Sequence, residues 1–167
     1  MRPFVTVWQA FGFALGAFVV AFAVYQFWLF AQILYWVEHD PETTRFMEIR
    51  VQAIREKNPG TMRQQQWVDY RRISIHLKRA VIVAEDAKFI DHEGFDWTGI
   101  QQAMEKNQKR GKIVAGGSTI TQQLAKNLFL SGERSALRKG EEAIIAAMLE
   151  AVMDKRRIFE LYLNVAE

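Results

Sequence analysis

A chain of 167 residues with 22 basic residues, 19 acidic residues and no cysteine excludes disulfide staples and thiolate metal ligation. Its charge is unevenly spread: Pro3 to Val37 holds no Asp, Glu, Lys, Arg or His, whereas Glu38 to Glu167 carries all 19 acidic residues and 21 of the 22 basic ones. That division excludes an ordinary soluble protein, and it points to a membrane segment followed by a mildly basic domain large enough for one core.

In chain order, residues 1–37 form a transmembrane anchor. About 20 apolar residues cross the hydrocarbon core, so this run spans it once, with tilt and some helix to spare. Trp8 near one end and Trp28, Tyr35 and Trp36 near the other suit an interfacial belt, and Gln26 hints at a helix partner. A cleavable signal peptide is disfavoured because the run is too long and no charged region precedes it. Only Arg2 and the terminal amine lie on one side, with Arg45 and Arg50 on the other, so charge leaves the orientation open. Residues 38–66 read as a linker and a membrane-proximal helix, with a turn at Asn58-Pro59-Gly60. Residues 67–167 hold the remaining elements. A helix is expected over Ile73–Asp86, followed by one over Thr98–Arg110, capped by Asp96 and stopped by Gly111. Gly116-Gly117 breaks the chain before a helix over Ser118–Phe129, with Thr119 and Gln122 at capping-box spacing and Gly132 as its close. A single long helix then runs from Leu137 to beyond Tyr162, with Ile144, Ile145, Met148, Leu149 and Val152 along one side. No alternating strand appears, and the fold class is mostly α.

Three groups of residues carry chemistry. Glu85 and Asp86 end the apolar run Ala80 to Ala84. On a helix Glu85 shares a face with Val81 and Ile82, where burial would raise its pKa and suit it to proton exchange. The plainer alternative is a helix-end carboxylate looking into solvent. In the second group, Gly116 to Asn127, glycines precede a helix N-terminus whose free N–H groups, with nearby hydroxyls, amides and Lys126, could receive phosphate or sugar oxygens. The alternative is an ordinary capped helix, and the spacing is not that of a nucleotide P-loop. The third group is Arg134, Arg138, Lys139, Glu141 and Glu142, followed by Lys155, Arg156 and Arg157. It is either a surface ion-pair lattice or a cationic clamp for a leaving phosphate. Helical-wheel arithmetic places Glu141, not Glu142, nearest the middle of the apolar stripe.

Four patterns occur in order: Glu-Asp-x-x-Phe-x-x-His-x-Gly (Glu85 to Gly94), Gly-x-Ser-Thr-x-x-Gln-Gln (Gly116 to Gln123), Arg-Lys-x-x-Glu (Arg138 to Glu142) and Ile-x-Glu-x-Tyr-x-Asn (Ile158 to Asn164). Together they resemble the peptidoglycan glycosyltransferases of family 51. The resemblance implies a lysozyme-like helical domain with a membrane-embedded jaw, on the outer face of the cytoplasmic membrane. It implies lipid II and the growing glycan strand as ligands, cell-wall synthesis or division proteins as partners, and no nucleic acid. It makes Glu85 the general base and Glu142 the second acid, in preference to Glu141. Ser118, Thr119, Gln122 and Gln123 would hold sugar and phosphate oxygens. Lys126, Arg134, Arg138 and Lys139 would meet the leaving pyrophosphate, which Mg²⁺ or Mn²⁺ could accompany. Phe89, His92 and Gly94 look architectural. Relatives of this family continue past the fourth motif, so the domain is expected to be incomplete at its C-terminus, with Ile158, Phe159, Leu161 and Leu163 short of packing partners.

Two other classes compete. A lysozyme-like glycan-cleaving enzyme would share the helical setting and an acid, but cleaving a neutral glycan does not call for the basic cluster around Arg134 to Lys139. A non-catalytic membrane-anchored glycan-binding or partner-binding module would have no use for Glu85 in an apolar setting.

Overall fold

The computed structural model describes residues 7–62, 64–133 and 135–166, so Arg134 lies outside the described residues. Among them the chain is helical and contains no strand. The elements are α1 (Val7–Glu38), α2 (Arg45–Lys57), a 3-10 turn at Tyr70–Arg72, α3 (Ile75–Glu85), α4 (Trp97–Arg110), α5 (Ile120–Phe129), α6 (Ala136–Val152) and α7 (Lys155–Val165).

α1 has 32 residues, about 48 Å at 1.5 Å per residue. It is long and apolar enough to cross a membrane, and its most apolar stretch is not buried against the rest of the protein. Phe11, Phe13, Phe18 and Phe27 all face outward. The C-terminal third behaves differently. Leu29 and Ile33, one helical turn apart, are buried against the domain, and α1 packs on α6. Trp36 continues that face, its ring 5.2 Å from Phe129. The core therefore draws on residues well before position 67.

α5 is the centre of the domain, buried at Ile120, Leu124, Ala125 and Leu128, with α2, α6 and α7 packed around it. Its start follows the expected capping box: Thr119 Oγ1 accepts the Gln122 N–H while the Gln122 side chain reaches back to the Thr119 N–H. Asp96 caps α4 through the Gly99 N–H, and Gly111 ends it in the left-handed region at φ 63°.

Several boundaries differ from expectation. Ser74, not Ile73, sets the start of α3. α5 ends because Leu130 turns extended, so Gly132 has no part in closing it. The long final helix is two helices: Met153 turns extended, and the Asp154 side chain accepts the Arg157 N–H to start α7 afresh. A cap of this kind is worth about 1 kcal/mol and stabilises a chain direction that a continuous helix would forbid. The expected shortage of partners is overturned for Ile158, Phe159 and Leu161, which are fully buried, while Leu163 is half-buried. The Phe159 ring lies 5.6 Å from Phe89 and 6.4 Å from Tyr70. α7 packs against α5. Arg157, at the start of α7, ties the anchor down: Nε donates to the Trp36 carbonyl at 3.0 Å, and Nη2 donates to the His39 carbonyl at 2.6 Å and pairs with Asp40 at 3.0 Å.

Candidate active site

α5 and α6 together build a cleft of about 320 Å³. Ser118, Gln123, Lys126, Arg138, Lys139 and Glu142 line it, and Phe46 of α2 closes one side. At its base Glu142 is 3% exposed and accepts from Arg138 Nη1 at 2.7 Å and from Lys139 Nζ. Lys139 Nζ also donates to Ser118 Oγ at 2.9 Å. Among the described residues Lys126 has no carboxylate partner, its ammonium lying 5.7 Å from the centre of the Phe46 ring, and buried Arg138 Nε has no hydrogen-bond partner. Three cations thus face one carboxylate, an arrangement with net positive charge and spare donors, suited to an anion.

The wheel's preference for Glu141 is overturned. The buried face of α6 runs through Glu142, Ile145, Ala146 and Leu149, and Ile144 is exposed. The stripe sits one position round from its expected place because two neighbours flank α6, with α5 on one side and α1 on the other. Glu141 faces α1, where it accepts the Tyr25 hydroxyl at 2.6 Å.

Glu85 lies at the C-terminal end of α3 and is exposed, so of the two sequence alternatives the solvent-facing helix-end carboxylate holds and the buried one does not. Only Lys78 of α3 is buried, and Val83 is 75% exposed, so the apolar run up to Ala84 does not desolvate the carboxylate. The buried acid is its neighbour. Asp86 accepts from His92 Nε2 at 3.0 Å and from the backbone N–H of Ile120 at 3.0 Å, joining the end of α3 to the start of α5. His92 is thus a hydrogen-bonded structural residue. Glu85 is instead held from α5, its Oε2 accepting from Gln123 Nε2 at 2.9 Å. Gln123 therefore touches both the cleft and Glu85.

Thr119 and Gln122 do not reach the cleft. Both are buried, engaged with each other in the capping box, and Thr119 Oγ1 also donates to the Gly94 carbonyl at 2.7 Å. With Ile120 N–H given to Asp86 and Gln122 N–H given to Thr119, the first turn of α5 keeps few donors for a ligand. The helix N-terminus is consumed structurally. Ser118, Gln123, Lys126, Arg138 and Lys139 line one cleft.

The fourth pattern divides its labour. Asn164 exchanges two hydrogen bonds with the backbone of Val68, and Glu160 accepts the Tyr70 N–H at 2.7 Å, so both fasten the segment before α3. Tyr162, two residues from each, falls on the opposite side of α7 and donates to Gln123 Oε1 at 3.2 Å. Burial, reinforced by the negative charge of Glu85, pushes the Tyr162 phenol up to about 12. Sequence reading gave Tyr162 no role. The signal was the i, i+2, i+4 spacing, which puts the middle residue on a different face from its two neighbours. Among the described residues no three His, Asp or Glu side chains converge as a metal site would require.

The family model described as Transglycosylase matches residues 51–167. A protein of Methylobacillus flagellatus named biosynthetic peptidoglycan transglycosylase is 64% identical over 149 residues, 89% of this chain and 65% of its own. Proteins of the same name from an Azoarcus species and from Dechloromonas aromatica are 55% identical over 162 residues and 64% identical over 146. The chain spans about two thirds of the length of these relatives, between 63% and 70%.

Proposed function

Because this chain belongs to the transglycosylase family, we propose that its cleft polymerises peptidoglycan glycan strands from lipid II, with release of undecaprenyl pyrophosphate. The observation that carries this reading is the cleft itself: three cations on α5 and α6 around a single buried carboxylate, joined through Gln123 to the exposed carboxylate of Glu85. Glu85 takes the proton from the 4-hydroxyl of the acceptor sugar as that oxygen bonds to the anomeric carbon of the growing chain. The bond from that carbon to the pyrophosphate oxygen breaks, and attack from the opposite face inverts the centre. Lys126, Arg138 and Lys139 meet the charge that develops on the leaving group, while Glu142 keeps the latter two aimed into the cleft. Ser118 and Gln123 supply polar contacts to the sugars and phosphates. Exposure of Glu85 leaves it open to the acceptor, and ligand binding would supply the desolvation that the chain does not.

Among the described residues Glu142 is the one carboxylate lining the cleft and it already pairs with two cations, so the cleft does not fit a resident Mg²⁺ or Mn²⁺, and such an ion would come with the pyrophosphate. In this reading α1, long and apolar enough to cross a membrane, holds the domain at the bilayer, with the N-terminus in the cytoplasm and the cleft outside, where the lipid-linked substrate is polymerised. Cell-wall synthesis or division proteins are proposed partners. The functional test is conversion of fluorescent lipid II to high-molecular-weight glycan. Shortening of finished glycan without any polymer from lipid II would replace this reading with the glycan-cleaving one.

A further inference from the structure

We propose that Tyr162 is a positioning residue for Glu85, acting through the side-chain amide of Gln123; the inference rests on the reading of Glu85 as the base. The three side chains form a chain across α7, α5 and α3, with Tyr162 Oη donating to Gln123 Oε1 at 3.2 Å and Gln123 Nε2 donating to Glu85 Oε2 at 2.9 Å. Each group has one consistent role. An ionised carboxylate only accepts, so the amide must turn its nitrogen towards Glu85 and its oxygen towards the phenol, and a neutral phenol is the donor that oxygen requires. The phenol is held neutral well above the physiological range by burial and by Glu85 itself.

Tyr162 is the rigid end of this relay. It is 6% exposed, and its ring stacks on that of Phe159 at 6.4 Å. Gln123 is half-buried, and Glu85 stands in solvent at a helix end. Without the phenol, nothing in the described residues claims the Gln123 oxygen, and the amide is free to rotate away from Glu85. With it, one carboxylate oxygen of Glu85 is fixed on Gln123, and the other is left to face the acceptor hydroxyl. Tyr162 thereby carries the order of the core out to a carboxylate that has no packing of its own.

The test is a double-mutant cycle on lipid II turnover by the full chain in detergent micelles, using Tyr162→Phe, Gln123→Ala and the pair. Tyr162→Phe keeps the ring in the core and should lower kcat about tenfold, with KM within about twofold, the scale of one lost hydrogen bond that acts in the transition state. The double variant should be no slower than Gln123→Ala alone, since the phenol has no other route to Glu85. Multiplying losses, or wild-type kcat in Tyr162→Phe, overturn the inference. Glu85→Gln distinguishes the levels: retained turnover there removes the base assignment and this inference together, whereas lost turnover beside a wild-type Tyr162→Phe removes only the positioning role. A readout independent of turnover is the side-chain amide NMR signal of Gln123, which should move in both Tyr162→Phe and Glu85→Gln. An unmoved signal in Tyr162→Phe refutes the relay.

Discussion

Neutralising Glu142 separates a buried acid that organises the cleft from a surface ion-pair lattice. The Glu142 side chain is 3% exposed and faces Arg138, 17% exposed, and Lys139, 46% exposed. Glu142→Gln keeps the volume and one acceptor but strands both cations. Breaking a buried pair by removing one partner costs about 3–5 kcal/mol, and the Arg138 half is dry enough to fall in that class. Lys139 is nearly half exposed, so its share is about 0–1 kcal/mol. The glutamine carbonyl recovers part of the loss, and the expected destabilisation is about 3 kcal/mol, a fall in Tm of about 6–12 °C. Glu141→Gln, which weakens only the hydrogen bond from Tyr25, should cost about 1 kcal/mol or less. Adding Arg138→Gln to Glu142→Gln should restore part of the stability, because the stranded cation is gone. Urea unfolding of the detergent-solubilised variants measures all three. Equal midpoints for Glu141→Gln and Glu142→Gln would refute the argument and return Glu142 to the surface lattice.

Glu85→Gln should lower lipid II turnover by about 10²–10⁴ while shifting stability by less than about 0.5 kcal/mol, since the side chain is exposed; parallel turnover and melting measurements check both halves. Lys126→Ala should lower turnover about 10²-fold or more through loss of a charge aimed at the leaving group, and a turnover assay that shows less than a twofold effect would remove Lys126 from that role. Arg157→Ala should loosen the joint between the anchor and the domain, seen as faster proteolysis between Glu38 and Arg45, because its guanidinium holds the Trp36 and His39 carbonyls. The phenol of Tyr162 is raised from 10.0 to about 12 in the folded protein. Its contribution is therefore complete below pH 10 and lost as pH rises towards 12, so wild type should lose stability more steeply than Tyr162→Phe across that window in unfolding titrations.

What could be read from the sequence was whatever a few neighbouring residues decide. Thr119 with Gln122, Asp96 with Gly99, and Gly111 each satisfy or terminate a helix within one turn, and each stands where it was expected. The break at Met153 was also local, since Asp154 lies three residues before the N–H it accepts, but the apolar periodicity continues through it and masks the cap. Burial was not local. Val81 and Ile82 say which side of α3 Glu85 shares, not whether another element covers that side. Likewise, the choice between Glu141 and Glu142 is made by α1 and α5, two helices far apart in the chain that reach α6 from different directions. Thr119 shows a further limit. A hydroxyl beside a glycine pair reads equally well as a ligand contact or a cap, and only the position of the Gly94 carbonyl decides between them.

Leu29 and Ile33 are buried in the part of the molecule where α1 packs on α6, so the anchor proposed above is a mast and not a tether. A tether would only raise the local concentration of a cleft near the bilayer, at whatever height and tilt its linker allowed. A mast fixes both, so the lipid-linked substrate proposed above would meet the cleft already in register, its search confined to the membrane plane. Replacing the outward-facing part of α1 with an unrelated apolar helix should then be tolerated, whereas inserting flexible residues between Trp28 and Leu29 should keep the protein on the membrane and still impair the reaction.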